Sequence, residues 1–297
     1  MGNRFDITVV AKNQSEGYFY INMATNEISR IESLISSWNP NSQTSLINKN
    51  SGVKAVKVDK ELFQLIERSI EISKITDGAF DITYASMDKI WNFNQDTSSL
   101  PSEIEINSSI SKVGFHNIIL DKEASTVFLK IKGMRIGFGA IGKGYAADRA
   151  KALLISKGVS SGIINASGDM NTWGKNENGD TWKVAITNPL NKDKVFALLP
   201  LNEGAVVTSG NYEKYTIING EKYSHIINPK TGFPSKGLSS VSVFSPNAEL
   251  ADALATAVFV MGQEIGLDRI NQLPKVECII IDNEGSIFTS KNIKINK

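Results

Sequence analysis

The chain has 297 residues, with 32 Lys plus Arg against 31 Asp plus Glu, so its formal charge is +1; that balance excludes the broad basic face that nucleic acid or an anionic membrane would need. Hydrophobic residues at 41% and charged residues at 21% suffice to bury a core, which rules out global disorder. Cys278 is the only cysteine, so one chain forms no internal disulfide or multi-thiolate metal cluster, and no apolar run approaches the roughly 18 residues a membrane-spanning helix needs.

The opening Met1-Gly2-Asn3-Arg4-Phe5-Asp6 is not expected to act as a signal peptide. Phe5 to Val10 alternates and predicts a strand, and Ile21, Ile28, Ile31, Leu34 and Ile35 predict a helix from about Gly17 to Ser36. Asn39-Pro40-Asn41-Ser42 reads as a turn, followed by a loop up to Gly52. Asp59 is placed to cap a helix carrying Leu62, Phe63, Ile66 and Ile70 on one face, with Gly78 at its end. Residues 96–111 read as a polar surface loop. Strands and helices then alternate: a strand over Val127 to Ile131 and a helix from Lys143 to Ser156 closed by Gly158. Short strands are expected at Ile163-Ile164, Lys183 to Ile186, Val195 to Leu199, Ala205 to Val207 and Val241 to Phe244. Ser245-Pro246 reads as an N-cap with proline at the first helical position, opening a largely buried helix from Ala248 to Met261. Cys278 to Ile281 and Ser286 to Phe288 form an expected terminal hairpin. Strands joined by hairpin-like turns with few helices favour an α+β fold over a doubly wound sheet.

Four features could carry chemistry. Gly137-Phe138-Gly139-Ala140-Ile141-Gly142-Lys143-Gly144 lies between a strand and a helix, where backbone amides can approach a phosphate or simply make a tight turn. It is a poor dinucleotide fingerprint and no Walker sequence. Asp252 and Thr256 are four apart and share a helix face. A carboxylate in an apolar helix needs a partner, so Asp252 either pairs with a basic residue, caps a loop or holds a hard cation such as Mg²⁺. His225, where a strand meets a Pro/Gly turn, suits general-base work or a structural role equally, whereas His116 reads as a surface residue. Trp38 could stack on a planar ring or merely pack.

Taken in order, seven segments resemble the ApbE family, the FAD:protein FMN transferases. They are Ser36 to Ser42, Thr76 to Thr83, Gly139 to Asp148, Asn165 to Asp169, Thr208 to Tyr212, His225 to Gly232 and Ala251 to Thr256. The resemblance runs over almost the whole chain and implies a T-fold-like α+β architecture of mixed or antiparallel sheets with packed helices. It treats residues 1–297 as one unit, with room for two subdomains. It further implies transfer of FMN from FAD to a threonine hydroxyl of an acceptor flavoprotein, with Mg²⁺ required and AMP released. On that resemblance Asp252 and Thr256, with the carbonyls of Ala140 and Ala255, hold Mg²⁺. His225 takes the threonine proton. Met1, Trp38, the Ala79-Phe80-Asp81 backbone, Gly137, Lys143 and Ile226 meet FAD. Gly137, Asn211 and Asn228 stand where acids are usual in the family. Met1 aligns with a methionine that follows an exported leader, which implies an extracytoplasmic location, and no lipobox or anchor is visible. An FAD pyrophosphatase and a non-catalytic flavin-binding protein are the alternative readings.

Overall fold

Phe5–Val9 forms β1, and Asn13 then starts α1 (Gln14–Ile35) by accepting the Glu16 amide on its side chain. Ala24, Ile28, Ile31 and Ile35 line the buried stripe of α1. The Asn13 cap moves the start three residues ahead of Gly17. A computed structural model describes residues 4–93, 100–189, 191–212 and 214–294. Ser42 repeats the capping device on the Ser45 amide and opens α2 (Gln43–Lys49), with Thr44 and Ile47 buried. The expected loop up to Gly52 is thus largely a short helix.

After β2 (Val56–Lys57) comes α3 (Lys60–Ile75). Asp59 stands at its N-cap as expected, yet its carboxylate accepts from the Gln43 side chain instead of from α3. Asp77 and Gly78 close α3 with positive φ, Gly78 donating to Ser73 O at 2.7 Å and Asp77 to Lys74 O at 3.1 Å. Residues 100–111, expected as loop, contain α4 (Glu103–Ile110), opened by a reciprocal Ser102–Glu105 capping box. Residues 96–99 of that expectation lie outside the described residues.

β3 (Ile118–Asp121) and β4 (Thr126–Leu129) join β2 in a small sheet of order β2-β4-β3. Next come α5 (Gly142–Ser156), β5 (Gly162–Ala166), β6 (Asp169–Trp173), β7 (Lys183–Asn188), β8 (Asn191–Pro200) and β9 (Gly204–Gly210). β10 (Tyr215–Ile218), β11 (Glu221–Ser224) and β12 (Leu238–Ser245) precede α6 (Ala248–Met261) and α7 (Gln263–Asn271), and β13 (Glu277–Asp282) pairs with β14 (Ile287–Thr289). Ser245 is still paired with Ala205 in the sheet, so it cannot cap α6, and Asn247 stands at the N-cap position.

The main sheet has the order β1-β5-β6-β9-β12-β13-β14, and every ladder among the described residues is antiparallel. The architecture is therefore α+β, with antiparallel rather than mixed pairing. α1, α5, α6 and α7 pack against the sheet in turn, from β1 across to β13. Strand periodicity separates its two faces. Cys278 and Ile280 join Val241, Val243, Leu254 and Val258 beneath α6, whereas Ile279 and Ile281 pack against Ile186 and Leu199 of the β7–β8 hairpin.

Candidate active site

α5 and α6 meet backbone to backbone at their first turns. A Cβ on Gly144 would overlap the Ala248 carbonyl, so glycine is the residue that permits the approach. The approach delivers Asp252, only 2% exposed, to the N-terminus of α5. There Oδ2 accepts the Gly144 amide at 3.1 Å and Oδ1 accepts Lys143 Nζ at 3.1 Å. Lys143 Nζ also lies 3.2 Å from Oδ2 of Asp169, the first residue of β6, whose Oδ1 accepts the Thr208 amide of β9 at 3.2 Å.

One ammonium thus serves two buried carboxylates. With both ionised, the trio carries one surplus negative charge in a place where charge is costly. Burial alone would lower the Lys143 pKa, but Asp252 and Asp169 overcome it and hold the ammonium above the usual lysine range. Burial, reinforced by the neighbouring Asp252, pushes Asp169 up to about 7 despite Lys143. The expected basic partner of Asp252 is therefore real, and it does not exhaust the site's demand for positive charge.

Thr256 lies one turn beyond Asp252, its Oγ1 3.4 Å from Ser209 Oγ on β9. Carboxylate and hydroxyl oxygens suit a hard cation, so the donor set fits Mg²⁺. Among the described residues no three His, Cys, Asp or Glu side chains group to hold a metal by themselves. Carbonyls or substrate oxygens would have to complete the shell. Ala140 lies in the turn just before α5; Ala255 lies inside α6, where its carbonyl could offer only a second lone pair.

Gly137 is a meeting point of three sequence segments. Its amide donates to Ile82 O at 2.9 Å, and a Cβ there would lie 3.0 Å from Ala85 Cβ and 3.7 Å from Ser37 Oγ. A longer side chain would have to displace Ala85. The turn through Gly137 therefore adjoins both the Trp38 loop and the segment after Gly78. Trp38 is 81% exposed, with Lys89 Nζ 5.0 Å from its ring centroid. Ala79 and Phe80 bury their side chains in the core, and the Asp81 carboxylate accepts Thr83 N and Oγ1 at 2.7 Å and Phe115 N at 2.8 Å. Only the backbone of these three residues is left to face a ligand.

His225 follows β11 directly. Its Nδ1 lies 2.9 Å from Lys214 O, and its amide donates to the same carbonyl at 3.0 Å. A carbonyl only accepts, so the neutral ring carries its proton on Nδ1 and Nε2 is the basic nitrogen. Ile226 packs in the cluster that holds Val207, Leu254 and Ala255, which sets His225 one residue from the packing around α6. Met1 lies outside the described residues.

Of two positions without the usual acids, Asn211 has a local reason to be an amide and nothing in the structure explains Asn228. Asn211 donates Nδ2 to Leu238 O at 2.9 Å and Asn283 Oδ1 at 3.1 Å while its Oδ1 accepts Lys222 Nζ, so a carboxylate there would lose both donor bonds. Asn228 uses only Oδ1, on the Lys230 amide, in an Asx-type turn that Asp would serve as well. Sequence reasoning did not single out Asp169, although it ends one of the seven matched segments; its partners sit on α5 and β9, and no local spacing signals them.

The sequence model described as the ApbE family matches residues 1–280. The chain is 31% identical over 265 residues to the FAD:protein FMN transferase of Klebsiella pneumoniae (strain 342), covering 89% of this chain and 82% of that one. It is also 31% identical over 278 residues to the FAD:protein FMN transferase of Treponema pallidum (strain Nichols), covering 88% and 76%. The crystal structure of the ApbE protein from Thermotoga maritima MSB8 superposes with a TM-score of 0.88 at 30% identity, over 98% of this chain and 94% of that one. The chain belongs to the ApbE family.

Proposed function

We propose that this member of the ApbE family is a Mg²⁺-dependent FAD:protein FMN transferase that places FMN on a threonine hydroxyl of an acceptor flavoprotein and releases AMP. The observation that carries the reading is the pair of buried carboxylates, Asp252 and Asp169, sharing the single Lys143 ammonium. That surplus negative charge favours a further cation at the N-terminus of α5. Mg²⁺, when bound, would neutralise charge on the FAD pyrophosphate.

Asp252 and Thr256, with the carbonyls of Ala140 and Ala255, would hold the ion. Lys143, once relieved of Asp252, can turn its ammonium to a phosphate oxygen. Trp38, the backbone of Ala79, Phe80 and Asp81, Gly137 and Ile226 would border the rest of FAD. In the transfer, the threonine oxygen bonds to the FMN phosphorus as the bond from that phosphorus to the bridging oxygen breaks. AMP leaves with the bridging oxygen. Nε2 of His225 takes the threonine proton, and the Lys214 carbonyl holds the ring in the tautomer this requires. Positioning and charge neutralisation carry the chemistry, as expected for phosphoryl-type transfer.

The test is incubation of the purified chain with FAD, MgCl₂ and an acceptor protein bearing a threonine site, read by intact-mass spectrometry and by AMP release. FMN on the acceptor with stoichiometric AMP, abolished by EDTA, supports the reading. Free FMN plus AMP would instead make the chain a pyrophosphatase, and intact bound FAD would make it a flavin-binding protein.

A further inference from the structure

We propose that Asp148 is a positioning residue that sets α6 along its axis against α5 and so keeps Asp252 at the cation position; this rests on the metal reading above. Neither helix caps itself, since the side chains of Ile141 and Asn247 at the two N-cap positions make no capping bond. The helices exchange carboxylates instead. Asp148 of α5 accepts the first two amides of α6, Ala248 N at 3.0 Å on Oδ1 and Glu249 N at 2.8 Å on Oδ2. Asp252 of α6 accepts the third amide of α5, Gly144 N, at 3.1 Å.

An ordinary cap would stabilise α6 without fixing where it lies. Asp148 fixes it, because its carboxylate is anchored outside α6. Asn171 Nδ2 donates to Asp148 Oδ1 at 2.6 Å, and Asn171 Oδ1 accepts Lys151 Nζ at 3.1 Å. Lys151 Nζ also donates to Thr172 O at 2.9 Å. Asn171 and Lys151 are buried, and Asn171 and Thr172 lie on β6, the strand that begins with Asp169. One network therefore ties α5, α6 and the strand of the second carboxylate together. Slippage of α6 by a single residue would move Asp252 by about 1.5 Å, enough to lose its bond to Gly144.

The test uses the full chain as wild type, Asp148→Ala, Asp148→Asn and the double variant Asp148→Ala/Asn247→Asp, whose new aspartate can cap α6 locally. Each, saturated with FAD, is titrated with MgCl₂ by calorimetry, and each is melted and followed by amide exchange at Gly144. We expect Asp148→Ala to melt earlier and to bind Mg²⁺ roughly 10- to 100-fold more weakly. The double variant should recover the melting temperature while Mg²⁺ binding stays weak and Gly144 exchanges faster than in wild type. Recovery of Mg²⁺ affinity together with melting, or wild-type affinity in Asp148→Ala, would reduce Asp148 to a helix cap and overturn the proposal. If wild type itself binds no Mg²⁺, the metal reading fails alone, and unchanged Gly144 exchange in the double variant would then overturn the positioning role. Should the alanine variants not fold, Asp148→Asn, which keeps the shape and one acceptor, carries the same comparisons.

Discussion

Two buried carboxylate environments in this molecule differ in what answers their charge. Asp81 is surrounded by neutral donors, the Thr83 amide and hydroxyl and the Phe115 amide, which hold the turn after Gly78 against the loop that follows α4. Asp252 and Asp169 share one ammonium and receive one backbone amide each. Saturation by fixed amides is the pattern of a structural clamp. Two acids on one cation leave an electrostatic demand open, and an open demand is what a site needs in order to bind something. Burial does not distinguish the two environments, since Asp81, Asp169 and Asp252 are all under 9% exposed; the identity of the donors does.

Four measurements press on this contrast. The largest effect is expected outside both clusters: His225→Ala should lower FMN transfer on the order of 10²- to 10⁴-fold. FAD affinity and melting temperature should change little, and an early-melting variant with intact turnover per bound FAD would return His225 to a structural role. Asp252→Ala should lower Mg²⁺-dependent FAD turnover by roughly 10²- to 10³-fold, the scale of removing one charge-stabilising group. Normal turnover of that variant at limiting Mg²⁺ would remove Asp252 from the cation site. Asp81→Ala should do the reverse, costing about 1–3 kcal/mol of stability by leaving buried donors unmet, with turnover per folded molecule retained. Denaturant melts against activity of the soluble fraction separate the two outcomes.

The last measurement, which concerns stability and not turnover, is a pH dependence. Burial lifts Asp169 from the ordinary 3.8 to about 7, so between those values the folded chain keeps a proton that the unfolded chain has released. Stability should therefore decline as pH rises through that window. Asp81 and Asp148, also raised by burial, act with the same sign. Asp169→Asn should reduce the slope without abolishing it, and an unchanged slope in chemical denaturation at several pH values would show that Asp169 titrates normally.

The elements that the sequence revealed are those with local signals. The apolar runs of α6 and β13 and the positive-φ glycines after α3 and α5 each announce themselves within a few residues. α2 and α4 were legible in principle, since Ser102 and Glu105 make a capping box, but eight or fewer mostly polar residues give a weak period. β6, β10 and α7 escaped for a related reason: the strands are short and α7 carries a glycine inside it. At the site, Asp252 stood out because a carboxylate is anomalous in an apolar helix. Asp169 and Asp148 did not, because what defines them is far away in the chain. Asp148 meets Ala248 across 100 positions, a relation that exists only once the sheet and helices have assembled.

Cys278 sits fully buried beneath α6, and burial together with the adjacent Glu277 pushes its thiol up to about 12. At neutral pH it stays protonated and out of reach of maleimides or peroxide. The molecule is therefore ready-made for single-site labelling. A cysteine introduced on an exposed turn would be its sole reactive thiol, so a fluorophore or spin label could report on the surroundings of Lys143 without removal of a native residue.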